Sequence, residues 1–456
     1  MTKEKNAVWR LLASVKLALV TLFILSAASI IGTVIKQKQP PGFYVEEYGE
    51  TLAGLFEAFS LNDMYASWWF IALMALFAVN LVVCSIERLP GVWRLVRLDN
   101  LATDPGQLEK MGITHRAAVP LAVEAASVRL GEHLAGAGWG SPARRDRDGA
   151  VLLFTQKGHW SRLGVYVVHL SILVIIAGAV IGKTLGYKAY VFLPEGRATT
   201  HVFLQGSAER VPLGFELHSD SFQRSYYPNG MIREYRTDLT VVDSQRTDPL
   251  HKSIVINDPL SHRGITFYHG DPYPLEEYFV TIREEATGRE HAFRVPAQRD
   301  IPWQGTGVSF RVEELLAEED GTVRQARIHF SDGRGEPSLF WMNDRGTVTI
   351  ARTDGNYTFS FRQLYSTLLL VNKDPGVWVV WTGCILMLIG LGMSFGFAHR
   401  RLWVLIAPQK QGAQILVSGT SNKQRPAFER RFRELVERLE GDATLSVRDK
   451  KGKSKT

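Results

Sequence analysis

The 456-residue chain carries 53 Lys and Arg against 46 Asp and Glu, a formal charge of +7, and 45% hydrophobic residues. Its two cysteines, Cys84 and Cys384, both lie in apolar windows, which excludes disulfides and thiol–disulfide exchange from the polar regions. The ordinary averages conceal four long apolar windows diluted by polar segments, and the surplus charge reads as a topology signal, not as a nucleic-acid footprint.

Residues 1–16 carry Lys3, Lys5, Arg10 and Lys16 against Glu4 alone. The first apolar window, 17–35, follows. About 20 helical residues cross a ~30 Å hydrocarbon core, and backbone in lipid must satisfy its own hydrogen bonds. Each window therefore predicts a membrane helix. The first, with about 19 apolar residues, is longer than a secretory signal's core and predicts an uncleaved anchor. Loop 36–67 holds Glu46, Glu47, Glu50, Glu57 and Asp63 against two lysines. The second window, 68–84, is expected to end at Glu87-Arg88-Leu89-Pro90. Segment 85–162 predicts a small α+β element: a strand at 114–121, a helix at 123–137, a strand at 151–156, and an Arg- and Asp-rich turn at 144–148.

The third window spans 163–181. Residues 182–376 then show period-two stretches such as Tyr357-Thr-Phe-Ser-Phe361. Turn signals at Pro228-Asn-Gly230, Asp332-Gly333 and Asp354-Gly355 separate them. With no long amphipathic helix between, an antiparallel sandwich or open barrel is predicted. The fourth window is 377–397. In the tail, 398–456, Phe428, Phe432, Leu435, Val436 and Leu439 mark a helix that Gly441 stops. Strand-like runs at 415–417 and 444–447 flank it, and 450–456 reads as disordered. The tail is expected to form a small packed element; the alternative is a basic amphipathic helix lying on anionic lipid.

The fold class is thus a polytopic α-helical membrane protein with four spans. A large β-rich extracytoplasmic domain lies between the third and fourth, with small α+β cytoplasmic segments. The charge divides into +14 on one side and −7 on the other. The positive-inside rule puts both termini in the cytoplasm and 182–376 outside.

His169 stands out because it interrupts the third window about 10 Å inside its Lys157–Arg162 edge. Ionisable groups at such depth are costly and tend to be functional. Neutral imidazole can ligate haem iron or relay protons; the alternative is a hydrogen bond to a neighbouring helix. Cys84 closes the second window at a similar level, as an iron ligand or as inert packing; Cys384 reads as packing. His159 and His399 read as interfacial anchors. Residues 183–373 contain seven scattered histidines without zinc-type spacing, and no GxSxG, HExxH or P-loop. Aromatic pairs there, Tyr226-Tyr227 and Phe267-Tyr268, with Tyr273, are expected to pack in the core; the alternative is a binding face.

In motif order the chain resembles the ResB (CcsB) family of system II cytochrome c maturation. The resemblance covers nearly the whole length. It rests on Ser14-Val-Lys16-Leu-Ala with Ser29-Ile-Ile-Gly32-Thr33, and on Asp63 to Phe70 with Asn80-Leu-Val-Val-Cys84-Ser and Arg88-Leu-Pro90. Further in, it rests on Tyr227-Pro-Asn-Gly230, Ile254 to Leu260, Arg263-Gly264 to Tyr268, Asn372 to Gly376, and His399 to Trp403. That family implies haem (haem b, shared transiently) held by a transmembrane histidine, which His169 matches; Cys84 matches a cysteine sometimes linked to haem. It implies a bacterial cytoplasmic membrane location and three partners: a tryptophan-rich ResC/CcsA-type membrane protein, apocytochrome c and a thiol-reducing thioredoxin-like protein. No tryptophan-rich WGxxWxWD motif occurs here, so the haem-ligating partner is expected as a separate chain, and this one as its non-catalytic subunit. A scaffold that stabilises the partner and recruits apocytochrome without binding haem is the competing expectation. A membrane-tethered sensor is disfavoured, since no kinase or cyclase module follows.

Overall fold

The computed structural model describes residues 6–97, 100–207, 209–229, 231–353, 355–442 and 445. It divides into two compact units, residues 1–179 with 378–456, and residues 180–377.

Four helices of the first kind expected are present: Val15–Val34, Trp68–Arg97, the stretch His159–Leu185, and Val377–Gly396. The protein is a membrane protein by this measure and by its apolar, outward-facing side chains. The second helix does not stop at Pro90 but runs on to Arg97. Proline removes one backbone donor and favours a break. Here the extension is held by Trp93, whose ring meets that of Trp160 edge-on at 6.3 Å and is covered by the Arg97 guanidinium at 4.6 Å. Between the first two spans the chain forms a helix, Pro41–Ala58, kinked at Gly49, and a short 3-10 turn, Leu61–Ala66.

The segments expected as two separate small elements fold into one domain. Its sheet is antiparallel throughout, with strands in the order Ile113–Val119, Gly412–Ser421, Arg400–Gln409, Ala150–Lys157 and Ala143–Arg147. Side chains alternate across it. Val151, Leu153, Val404 and Ile406 face the helices Val123–Gly136 and Arg425–Glu440, joining Leu130, Leu134, Phe428, Phe432 and Leu435 in one core. Leu152, Phe154, Trp403 and Leu416 form a second cluster with Leu108. The tail helix therefore spends its apolar face inside the domain, as the packed reading expects. Two expectations need correction. Residues 144–148 are not a turn: Ala143–Arg147 is an edge strand, exposed along its whole length, and charge on an edge discourages further pairing. The turn itself is Asp148-Gly149, both at positive φ. The strand Arg400–Gln409 was not expected at all. The predicted run 444–447 lies outside the described residues except Leu445, as does 450–456.

Past the end of the third helix, the described residues of the second unit form β structure that is antiparallel throughout, in a ten-stranded and a four-stranded sheet. One core, including Val191, Leu217, Leu239, Phe267 and Leu369, draws only on the larger sheet, which curls over it like an open barrel. The other joins Val280, Phe359 and Phe361 to Phe310, Ile328 and Phe330 of the smaller sheet, as in a sandwich. The long strands Ile265–Glu284 and Gly355–Lys373 serve both cores, with breaks in their register at His269–Pro272 and Pro274–Tyr278. Of the aromatics read as core, only Phe267 is fully buried; Tyr226, Tyr227, Tyr268 and Tyr273 are exposed.

Candidate functional site

The first two spans are tied at both chain level and side-chain level. Thr21, Ala28 and Gly32 of the first are buried, and the second presents Phe70, Phe77, Leu81 and Cys84. Asn80, wholly buried, donates from Nδ2 to the carbonyls of Leu12 (2.6 Å) and Ser14 (3.1 Å). Those carbonyls lie at the break between Ala7–Leu12 and Val15–Val34; the Ser14 carbonyl also accepts from the Ala18 N–H at 3.3 Å, so Asn80 ties the second span to the break in the first. Cys84 continues this packed face and is 7% exposed. Cys384, on the fourth span, is half-buried, and both thiols are free.

The third and fourth spans meet through small residues at heptad spacing: Gly164 and Ser171 against Gly390 and Gly383; Gly178, one heptad further on, is buried too. A Cβ on Gly390 would stand 2.8 Å from the Val168 nitrogen and 3.0 Å from the Gly164 carbonyl oxygen. Only glycine permits that approach, the usual means of joining helices where lipid removes the hydrophobic drive.

His169 lies on the third helix, half-buried. Its Nδ1 is 2.9 Å from Ser85 Oγ, the residue after Cys84 on the second helix. The Tyr166 ring, one turn before, stands 6.3 Å from the imidazole. Among the described residues no protein group bonds Nε2. When Nδ1–H donates to Ser85, the Nε2 lone pair is left outward for a metal or a proton. The sequence singled out His169 but not Ser85. The only available signal was a short polar residue closing an apolar run.

Just past the end of the fourth span the picture reverses. His399 is not an exposed anchor; it is 2% exposed. Arg162 Nε donates to its Nδ1 (2.8 Å), which fixes the proton on Nε2, and Nε2 lies 3.0 Å from Gln156 Oε1. Its backbone N–H donates to Asn422 Oδ1 (2.8 Å). Burial first, then the Arg162 and Arg401 guanidinium groups and His159, pull its pKa down to about 4. His159 has its ring 6.5 Å from that of His399 and 5.1 Å from Trp160. The turn into the third span requires Gly158: its φ is +68°, and a Cβ would sit 2.5 Å from the Ala398 carbonyl oxygen.

In the β-rich unit several histidines bond separate local partners. His262 Nε2 and Arg263 share the buried Asp243 carboxylate, at 2.7 and 2.5 Å; His269 Nε2 meets Thr237 Oγ1 at 2.9 Å. Among the described residues no three His, Cys, Asp or Glu side chains are grouped to hold a metal ion.

Relatives align along almost this whole architecture. A cytochrome c biogenesis protein CcsB of Trichormus variabilis is 26% identical over 95% of this chain and 93% of its own length. One of Gloeobacter violaceus is 27% identical over 95% and 91%. A cytochrome c biogenesis protein Ccs1 of Rhodomonas salina is 25% identical over 94% and 96%. The ResB-like family profile matches residues 15–315 and 296–433, taking in all four spans, the inserted β unit and most of the flanking sheet. The chain belongs to the ResB-like family.

Proposed function

We propose that this protein acts in cytochrome c biogenesis as the haem-holding, non-catalytic subunit of a system II complex. The relatives' role in cytochrome c biogenesis supports the process. The observation that carries the haem assignment is the His169 imidazole, with Nδ1 occupied by Ser85 and Nε2 without a protein partner inside an apolar span. A hydrogen bond on one ring nitrogen orients the ring and sets which nitrogen can ligate. Iron in haem b takes such a nitrogen axially. Haem is the cargo here, and His169 supplies one axial position.

The other axial ligand and the ligation chemistry belong, on this reading, to a tryptophan-rich ResC/CcsA-type membrane partner. Apocytochrome c receives the haem, and a thioredoxin-like protein keeps its cysteines reduced. The charge division of +14 against −7 supports cytoplasmic termini and an extracytoplasmic β unit. The exposed Tyr226, Tyr227, Tyr268 and Tyr273 suit contact with a protein partner. Cys84 is buried in a helix-packing face and needs no ligand role.

The test is to purify the chain with its partner and record the Soret band, then repeat with His169→Ala. Loss of bound haem in the variant, restored by added imidazole, is the expected result. Wild-type haem content and spectrum in a folded variant would favour the scaffold reading.

A further inference from the structure

The flanking α+β domain contains a cavity of about 310 Å³ that the haem reading does not use. Lys157, Arg400, Arg431 and Arg438 line it, with Glu434 as the one carboxylate and Trp139 forming part of the wall. Three different parts of the chain supply the cations: the strand entering the third span, the strand leaving the fourth, and the tail helix.

Cations on a folded surface are commonly paired with carboxylates, and those of this cavity are not. Among the described residues none of the four forms an ion pair. Arg400 reaches only Gln424, Nη2 to Oε1 at 3.3 Å, and its Nε is buried with no hydrogen-bond partner at all. Burial, then the neighbouring Arg431, lowers the Arg400 pKa, so the group is held where its own charge is disfavoured. A buried guanidinium N–H left unbonded is costly, and like charges gathered around a cavity add to that cost. The helix Val123–Gly136 ends at this wall, and its terminal carbonyls favour a nearby cation. That effect is worth a fraction of a kcal/mol to about one, and it does not require four cations or an unbonded Nε.

An anion in the cavity removes the conflict. Net charge of the lining favours a multiply charged group, and the planar guanidinium fork suits phosphate oxygens. The cavity also lies at the membrane edge. Lys157 comes two residues before His159, where the third apolar stretch begins, and Arg400 four residues after Gly396, where the fourth ends. Trp160 and Phe397 are exposed there, as anchors at an interface are. The tail helix buries its apolar face in the domain, so lipid could meet it only through this charged side.

We propose that the cavity lined by Lys157, Arg400, Arg431 and Arg438 is a binding site for a phosphate group at the membrane surface. The phosphate comes from an anionic phospholipid headgroup or from a soluble phosphate ester.

Two arms of one experiment test the site and distinguish the sources. The full chain is reconstituted in zwitterionic nanodiscs and titrated with pyrophosphate, followed by calorimetry. In parallel, native mass spectrometry counts phosphatidylglycerol retained from mixed-lipid nanodiscs. Both are repeated with R431A/R438A and with the charge-matched R430A/R433A, whose side chains are exposed and do not line the cavity. Binding weakened at least about tenfold by the first pair and little changed by the second is expected. Retained phosphatidylglycerol with no pyrophosphate binding identifies the headgroup; pyrophosphate binding in zwitterionic discs identifies a soluble ester. Equal losses in both variants would reduce the site to diffuse surface charge and overturn the proposal, as would a wild-type protein that binds neither probe.

Discussion

The interior of the third span and the junction at its foot each present a histidine, and the protein uses the two rings in opposite ways. His169 has one nitrogen engaged by a serine and the other without a protein partner. His399 has both nitrogens engaged, one by a charged donor that requires it neutral, and its backbone pinned as well. A ring with a spare nitrogen can serve a ligand; a ring with none serves the fold. Residue type and depth do not separate these cases. The count of occupied nitrogens does.

Substitution should separate them just as cleanly. His169→Ala is expected to have the largest effect, cutting bound haem and cytochrome c maturation by a factor of about 100 or more while the protein still folds, since one half-exposed bond is lost. Absorbance of the purified complex and haem staining of mature cytochromes check this. Ser85→Ala keeps the ligand but frees the ring, and losses of this kind are typically 10-fold or somewhat more. A haem titration of the variant should show weaker binding with an unshifted Soret position. If Ser85→Ala matches wild type, the serine does not orient the ring and the contrast with His399 weakens.

His399→Ala should do the converse. It strands the Arg162 donor and the Gln156 side chain in a buried site, at a cost of about 3 kcal/mol. Thermal unfolding in detergent should show the loss, with the haem spectrum of the surviving folded fraction unchanged. The same group gives the wild type a pH dependence. Folded, its pKa is about 4; unfolded, it is near the ordinary 6.5. A depressed histidine pKa means stability that is full above about pH 6.5 and lost as pH falls toward 4, up to about 3 kcal/mol. Melting temperatures at pH 7.5 and 5 test this, and His399→Ala should flatten the difference. The smallest effect is expected for Cys84→Ala: about 1 kcal/mol of packing and no change in haem content. A large haem loss there would make Cys84 part of the site.

Much of this was legible beforehand because it is local. Four apolar runs declare four helices, and an ionisable residue inside one is conspicuous. Period-two patterning declared the β unit. What was hidden depends on residues remote in sequence. Ser85 meets His169 through the register of two helices that no pattern encodes. His399 looked like an anchor because it follows a span and precedes two arginines. In fact the next residue begins a central strand, Arg400–Gln409, whose neighbours are Ala150–Lys157 and Gly412–Ser421. Arg and Asp at 144–148 suggested a turn, yet charge is what an exposed edge strand carries.

The order of that five-stranded sheet has a consequence for biosynthesis. Its two middle strands, Arg400–Gln409 and Gly412–Ser421, are translated last, after the fourth span and the whole inserted β unit. Until they emerge, Ile113–Val119 and Ala143–Lys157 have no strand between them, and their inner edges stay open. The sheet therefore closes only around a chain that has already threaded its third and fourth spans. A nascent protein stalled or cut before residue 400 keeps open β edges and an uncovered core, the features by which quality-control proteases and chaperones recognise incomplete chains.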